Sequence, residues 1–581
     1  MKHLGSLISL IMIVSLLAAC ATPTPEIVKE VITQVVEVEK EVTKIVAGTP
    51  VVEKIVETKV VEKEVTRVVE VEKVVTATPE PKEPTVFRVP ITSDPEGTLE
   101  PGLVLALLTG WISENLHAGL LRYDENTQLV PYLAERYEVS DDGLTYTFYL
   151  RKDAKWHNGR SIVASDFKKG WERYLDPEVA AQAGPDYLGS IVGAQDILNG
   201  KTKELSGVEV VDDHTFKITT EEPDPGFLLR LGTTVTWIVP PEAVVEGQPE
   251  WKDEPVGAGP FKFVEWKTNE KVVLEAWDDF FLGRPTVDRI EYYVVPDSAT
   301  ALAQYEAGEM DIDAVVGPDL KYVSEDPKLS KELKFWTRAQ LIYVGLNMHT
   351  VDVFKDPRVR QAFNYALDKE AIIEQILFNA YEPATGLVPR GIPEYDPNLK
   401  GYEYDPVKAR QLLADAGYPD GQGFPTLQIT GYTAYSTRCE AVAAQINENL
   451  GLNIEVNVVE RGEMLSGLWD HETWDIFFFG WTADFPSAEV WTHQLLHSGL
   501  SSNFFGYDNP EFDAIVDQAR ITFDEAERIA LWQQAEEIAM EEAAMIPFGY
   551  SQYIYLVKPY VKGYGCNLNG PLWYKDVVIE R

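Results

Sequence analysis

Cysteine is scarce in this sequence: three among 581 residues, at Cys20, Cys439 and Cys566. No CxxC pair and no Cys/His cluster supports a zinc site, and spacing alone does not say whether Cys439 and Cys566 meet. Basic residues are short as well, 51 against 93 acidic ones, leaving a net charge of −42. That field repels nucleic acid and anionic lipid surfaces and leaves cationic partners and small zwitterions as easier ligands; it also keeps an exported protein soluble. Signatures that activate a nucleophile or a water are missing too. There is no GxSxG, no GxxxxGK, no Cys-His signature and no HExxH, since His471-Glu472 runs on into Thr473-Trp474-Asp475. Asp278-Asp279 and the nearby Asp311 and Asp313 are carboxylates of the kind a glycosidase needs, but in a chain this acidic they read as solvated. Neither an enzyme nor a cofactor is expected.

Long apolar runs are also lacking. The stretch Leu4 to Leu17 is too short to span a bilayer. With Lys2 and His3 before it and Leu17-Ala18-Ala19-Cys20 at its end, it reads as an export signal over residues 1–20. The tetrad resembles a bacterial lipobox, which implies that Cys20 becomes the acylated first residue of an extracytoplasmic, lipid-anchored protein. From 21 to 85 the composition shifts to Val, Glu, Lys and Thr, bracketed by Thr-Pro pairs. Val28, Val31, Val35, Val38, Val42 and Ile45 follow a coiled-coil spacing, yet the same letters alternate apolar and charged with period two. Helix and strand readings compete, Gly48-Thr49-Pro50 interrupts either, and the segment is expected to be a stalk with partial helix or disorder.

What is present indicates a packed body of more than one domain: 45% hydrophobic residues, 14 Trp and 27 Tyr in a chain too long for one core. Strand signals such as Val86 to Val89, Tyr146 to Leu150 and Lys271 to Glu275 alternate with amphipathic helices at Val359 to Phe378, Pro406 to Ala416, Arg438 to Leu450 and Asp524 to Glu542. That alternation predicts an α/β architecture of more than one lobe. Ile476 to Phe479 predict a buried strand, Gly480 leaves room for another backbone, and the run ends at a lone carboxylate, Asp484. An Asp ahead of Phe-Pro also suits a turn or helix cap.

Several ordered blocks resemble the peptide-binding family of solute-binding proteins that serve ABC importers, and within it the oligopeptide-binding lipoproteins. They are Leu133 to Arg151, Lys155-Trp156-His157-Asn158-Gly159, Val256-Gly257-Ala258-Gly259-Pro260-Phe261, Phe354 to Asp368, Ala544 to Pro547, and Leu556-Val557-Lys558-Pro559. The resemblance covers about residues 86–581. It implies a two-lobed periplasmic-binding-protein-like fold of the three-domain peptide-binding type, with a first lobe from 86–117, 241–340 and 552–581, an inserted domain at 118–240, and a second lobe at 341–551. Ligand would sit between lobes that close by a hinge.

The resemblance also implies that a peptide is held as an added strand with its ammonium on an Asp after a Gly-Trp pair. Gly480, Trp481 and Thr482 match the backbone-binding strand, and Asp484 matches the ammonium-binding acid. Leu99-Glu100-Pro101 places Leu105, Ala106 and Leu107 along the other edge of the peptide. Trp481 is read equally as a ligand-stacking ring or as lobe core. Two departures stand out. The Arg that oligopeptide binders offer to the ligand carboxylate is Phe478 here, leaving His349, Arg338 and Lys321 as cationic candidates, each also readable as a surface residue. The tyrosine of the inserted domain that covers ligand in some relatives has no clear counterpart in Ala181 to Gly184. The implied partners are an oligopeptide and the permease and ATPase of an importer, with a monomeric chain. Alternatives on the same fold are an oligosaccharide, a nickel complex or a signalling peptide; an adhesive surface protein using the stalk is a further rival.

Overall fold

The computed structural model describes residues 27–46, 49–68, 83–104, 106–181, 183–244 and 254–581. The export signal with Cys20, and Leu105 of the expected peptide edge, lie outside them. The chain forms two compact units, Met1–Glu83 and Pro84–Arg581.

In the first unit Ile27–Val46 pairs antiparallel with Thr49–Val68, in unbroken register from Ile27 opposite Val68 to Val46 opposite Thr49. This corrects the expectation of partial helix or disorder. The period-two alternation prevails over the coiled-coil spacing because β-branched Val is restricted in a helix and suits a pleated strand. Thr49 and Pro50 open the second strand instead of breaking the structure.

The second unit is mixed α/β and contains three larger sheets. The first runs Phe261–Lys267, Lys271–Ala276, Arg289–Val294, Val86–Ile91, an antiparallel meander completed by one parallel strand. The second, within residues 134–219, is antiparallel in the order Ala134–Val139, Thr145–Leu150, Thr215–Thr219, Val208–Asp212. Its Tyr146, Phe148 and Leu150 alternate inward as their spacing requires. The third and largest follows the order Ile312–Ala314, Ile546–Val557, Leu333–Leu346, Ile476–Thr482, Leu427–Tyr432, Ile454–Val459.

Two long strands, Leu333–Leu346 and Ile546–Val557, form the spine of the large sheet. Their antiparallel register slips between Thr337 and Leu341, so that Arg338, Ala339 and Gln340 bulge out of the ladder. The bulge is pinned from both sides: the Ala339 N–H donates to the Leu568 carbonyl (2.8 Å), and the Ala483 N–H donates to the Ala339 carbonyl (2.8 Å).

Several of the quoted blocks turn out to be architectural. In Val256 to Phe261, a Cβ on Gly257 would lie 1.9 Å from the Leu116 carbonyl oxygen and one on Gly259 2.5 Å from the Leu116 carbonyl carbon. Glycine alone lets this loop lie against the end of helix Leu107–Leu116. Within Phe354 to Asp368, buried Arg360 donates to the carbonyls of Phe354, Lys355, Glu542 and Ala543. The single helix expected over Val359 to Phe378 is two, Pro357–Tyr365 and Lys369–Gln375, because Asp368 caps a new start by accepting the Ala371 N–H.

Asp311 and Asp313 are buried, which corrects their reading as solvated. Asp311 accepts the Arg88 N–H (2.8 Å) and the Tyr560 hydroxyl (3.0 Å) and pairs with Arg581, so it ties Arg581 to the strand Val86–Ile91. Cys439 and Cys566 are buried free thiols, both with pKa pushed up by burial. No described helix is long and apolar enough to cross a membrane.

Candidate functional site

The strand Ile476–Thr482 begins buried, from Ile476 to Phe479, and becomes half-exposed from Gly480 onward. One edge is taken by Gln340 to Leu346. The other pairs with Leu427–Tyr432 only at Ile476 and Phe477, so from Phe478 to Thr482 that edge has no described strand beside it. Gly480 makes room for a neighbouring side chain: a Cβ there would sit 2.6 Å from Ile342 Cδ1. Trp481 packs against the core, its ring 5.9 Å from Phe504 and its carbonyl accepting the Trp491 indole N–H.

Beyond this strand lies a cavity of about 240 Å³ walled by four parts of the chain. Thr482, Ala483 and Asp484 contribute from the strand end, Ala106, Leu107, Trp111 and Glu114 from the helix Leu107–Leu116 and its approach, and Tyr123, Tyr187 and Gly232 to Val235 from the stretch 123–235. Asn567 to Pro571 close it. Positions 107, 110, 111 and 114 face the cavity because residues three, four and seven apart share one side of a helix. The approach to that helix is held by buried Glu100, which pairs with Arg173, and by Leu99, whose carbonyl accepts the Ser113 hydroxyl.

Asp484 is not a helix cap; Ser487 caps the following turn by accepting the Glu489 N–H. The Asp484 carboxylate opens to the cavity, yet the surrounding walls exclude enough bulk water to push its pKa above the usual range. Nearby Asp186 pushes the same way, and a hydrogen bond from the Tyr187 hydroxyl partly opposes both. Tyr187, which the sequence did not single out, lines the cavity. It lies three residues beyond Ala181 to Gly184, on the short helix Ala183–Leu188. Glu114, on the opposite wall, has its pKa pushed up to about 7 by burial, against the lowering effect of Arg122. No Lys or Arg is among the cavity-lining residues.

The cationic candidates separate. Lys321 is exposed over the Phe378 ring (5.7 Å), and His349 stacks on His471 (4.9 Å); neither lines the cavity. Arg338 occupies the strand bulge, over the Tyr553 ring at 5.2 Å. Arg438, which the sequence suggested only as the start of a helix, lies over Tyr381 and Tyr435, and its charge and that of Arg338 both act on the Tyr381 hydroxyl. Phe478, in place of the expected Arg, is fully buried against Tyr435 and Phe548.

A second grouping lies away from the cavity. The Nε2 atoms of His493 and His497 are 3.8 and 3.5 Å from one Asp517 carboxylate oxygen. The Gly499 N–H donates to His497 Nδ1 (3.0 Å), so the neutral ring carries its proton on Nε2 toward Asp517. The grouping is a cluster of three polar side chains with no hydrogen bond from either ring to Asp517, and the four-residue histidine spacing could have suggested it.

The family model for bacterial extracellular solute-binding proteins, family 5, matches residues 128–503. Heme-binding protein A of Haemophilus influenzae is 32% identical over 483 residues, 78% of this chain and 84% of that protein. The periplasmic oligopeptide-binding protein OppA of Escherichia coli is 29% identical over 480 residues, 80% of this chain and 87% of that protein. Among solved structures, a periplasmic oligopeptide-binding protein of Borrelia burgdorferi superposes with a TM-score of 0.71 at 26% identity, covering 85% of this chain and 100% of that one. With the site strand, the cavity and these likenesses in agreement, the chain belongs to the family 5 extracellular solute-binding proteins of ABC importers.

Proposed function

We propose that this protein is an extracytoplasmic lipoprotein, anchored through Cys20, that captures oligopeptides and delivers them to the permease and ATPase of an ABC importer. One observation carries the peptide assignment: a free strand edge from Phe478 to Thr482 leads directly to Asp484 in a cavity without Lys or Arg. Main-chain pairing along that edge suits any peptide, since all share a backbone, and Asp484 suits a terminal ammonium. Arg338, on the bulge beside the strand end, is the partner we assign to the far carboxylate of the ligand. The bulge is also where the lobes at 86–117, 241–340, 552–581 and at 341–551 would hinge, with 118–240 as the inserted domain covering the cavity. Ala106 and Leu107 border the same space, as Leu105 was expected to.

The test is calorimetry of purified protein with a free tripeptide and its N-acetylated form. The free form binds and the acetylated form does not, because acetylation leaves Asp484 facing a neutral amide in a site poor in bulk water. Equal affinity for both would overturn the assignment. A second reading, a non-peptide solute, is favoured by the 32% identity to a heme-binding protein. Heme carries two carboxylates, which this cavity opposes with Asp484 and Glu114.

A further inference from the structure

Glu114 is not explained by the capture of a peptide terminus. Its helix presents it to the same cavity as Asp484, from a different part of the chain, and its carboxylate has no hydrogen bond or ion pair with a described residue. Arg122 influences it electrostatically without a hydrogen bond to it: Arg122 donates to the Tyr123 carbonyl and lies over the Trp573 ring at 4.1 Å, and its Nε is buried without a partner. The cavity is rich in acceptors besides: Asn569 Oδ1, on the lining, is buried without a partner. The Thr482 hydroxyl already accepts from Gln340 (2.8 Å) and the Tyr187 hydroxyl already donates to Asp484. What remains is two acids, an orphan acceptor in Asn569 Oδ1, an orphan donor in the Trp111 indole N–H, and no Lys or Arg on the lining. A single ammonium satisfies only one acid and leaves the other desolvated, which is costly.

Resting on the peptide reading above, we infer that Glu114 is a second anionic anchor that selects ligands with two positive charges at one end, namely peptides whose first residue is lysine or arginine. The terminal ammonium engages Asp484, and the side-chain cation of the same residue crosses the cavity to Glu114. Asn569 Oδ1 accepts one of the remaining N–H groups. Each contact replaces water by a charge-assisted hydrogen bond, so a basic first residue raises affinity by about tenfold or more over alanine.

The experiment titrates Lys-Ala-Ala and Ala-Ala-Ala into the full-length protein and into its Glu114→Gln and Glu114→Asp variants by calorimetry. The expected result is a preference for Lys-Ala-Ala of about tenfold or more in the native protein, falling below about twofold in Glu114→Gln and partly restored in Glu114→Asp. A glutamate that only positioned Arg122 would change both affinities together and leave their ratio intact, which overturns the inference, as does a native ratio near one. Binding of neither peptide overturns the peptide reading itself, and the inference with it.

Discussion

The Tyr187 hydroxyl donates a hydrogen bond to the Asp484 carboxylate, joining the short helix Ala183–Leu188 to the end of the site strand. The pair brings the acid of the strand end against a side chain of that helix, and both line the cavity. Burial and the neighbouring carboxylate push the Tyr187 hydroxyl pKa far up, which keeps it a donor at every physiological pH.

Asp484→Asn is expected to weaken binding of a free tripeptide by about 2–5 kcal/mol, the range for breaking a desolvated charge pair. Calorimetry with the same peptide on both proteins measures it. An unchanged Kd would mean that the ammonium lies elsewhere.

Tyr187→Phe keeps the ring and removes the hydroxyl, so the expected loss is smaller, about 1 kcal/mol. Because the two groups touch, the double variant with Asp484→Asn should lose less than the sum of the single losses. Additive losses in this cycle would show that Tyr187 acts independently of the acid.

Gly257→Ala is expected to destabilise the fold by at least about 2 kcal/mol, since the new Cβ would meet the Leu116 carbonyl oxygen at 1.9 Å and that oxygen is main chain. Chemical denaturation followed by fluorescence reads the loss. Gly159→Ala makes a useful contrast: no atom lies within 4 Å of its added Cβ, and only the left-handed φ of +90° opposes the change.

Glu536 is buried and accepts the N–H groups of Leu387 (2.6 Å) and Val388 (2.9 Å), yet burial outweighs these bonds and pushes its pKa up to about 7 from 4.5. A folded-state pKa above the unfolded one means that the folded protein holds the extra proton. The resulting stability is fully present below about pH 4.5 and is lost as pH rises through about 7. Glu536→Gln does not titrate, so its melting temperature relative to the native protein should rise between acidic and mildly alkaline buffer, by the equivalent of about 1–3 kcal/mol. A constant difference across that range would place the carboxyl in a better-solvated setting.

Local signals read well where one periodicity dominates. The inward Tyr146, Phe148 and Leu150 needed only alternation, and Ile476 to Phe479 needed only an apolar run. The turn between the strands ending at Val139 and beginning at Thr145 was equally local: Gly143 takes a φ of +71° and Asp142 accepts the Leu144 N–H. Where two periodicities competed, as in Ile27–Val68, letters alone left the choice open. The break at Asp368 was missed because an aspartate inside a helical pattern becomes a cap only when its carboxylate finds an N–H.

The sequence by itself determined the alternation of strands and helices, the acidic balance, and the resemblance that singles out Asp484, since these depend on neighbours in the chain or on the order of its blocks. Tertiary structure alone decided which residues share the cavity. Tyr187, Glu114 and Asp484 come from different parts of the fold, and their pKa values move because folded walls displace water, a condition that no short stretch of chain can impose. Trp481, which the letters left equally as a ligand-stacking ring or as core, is partly buried, with one side packed against Phe504.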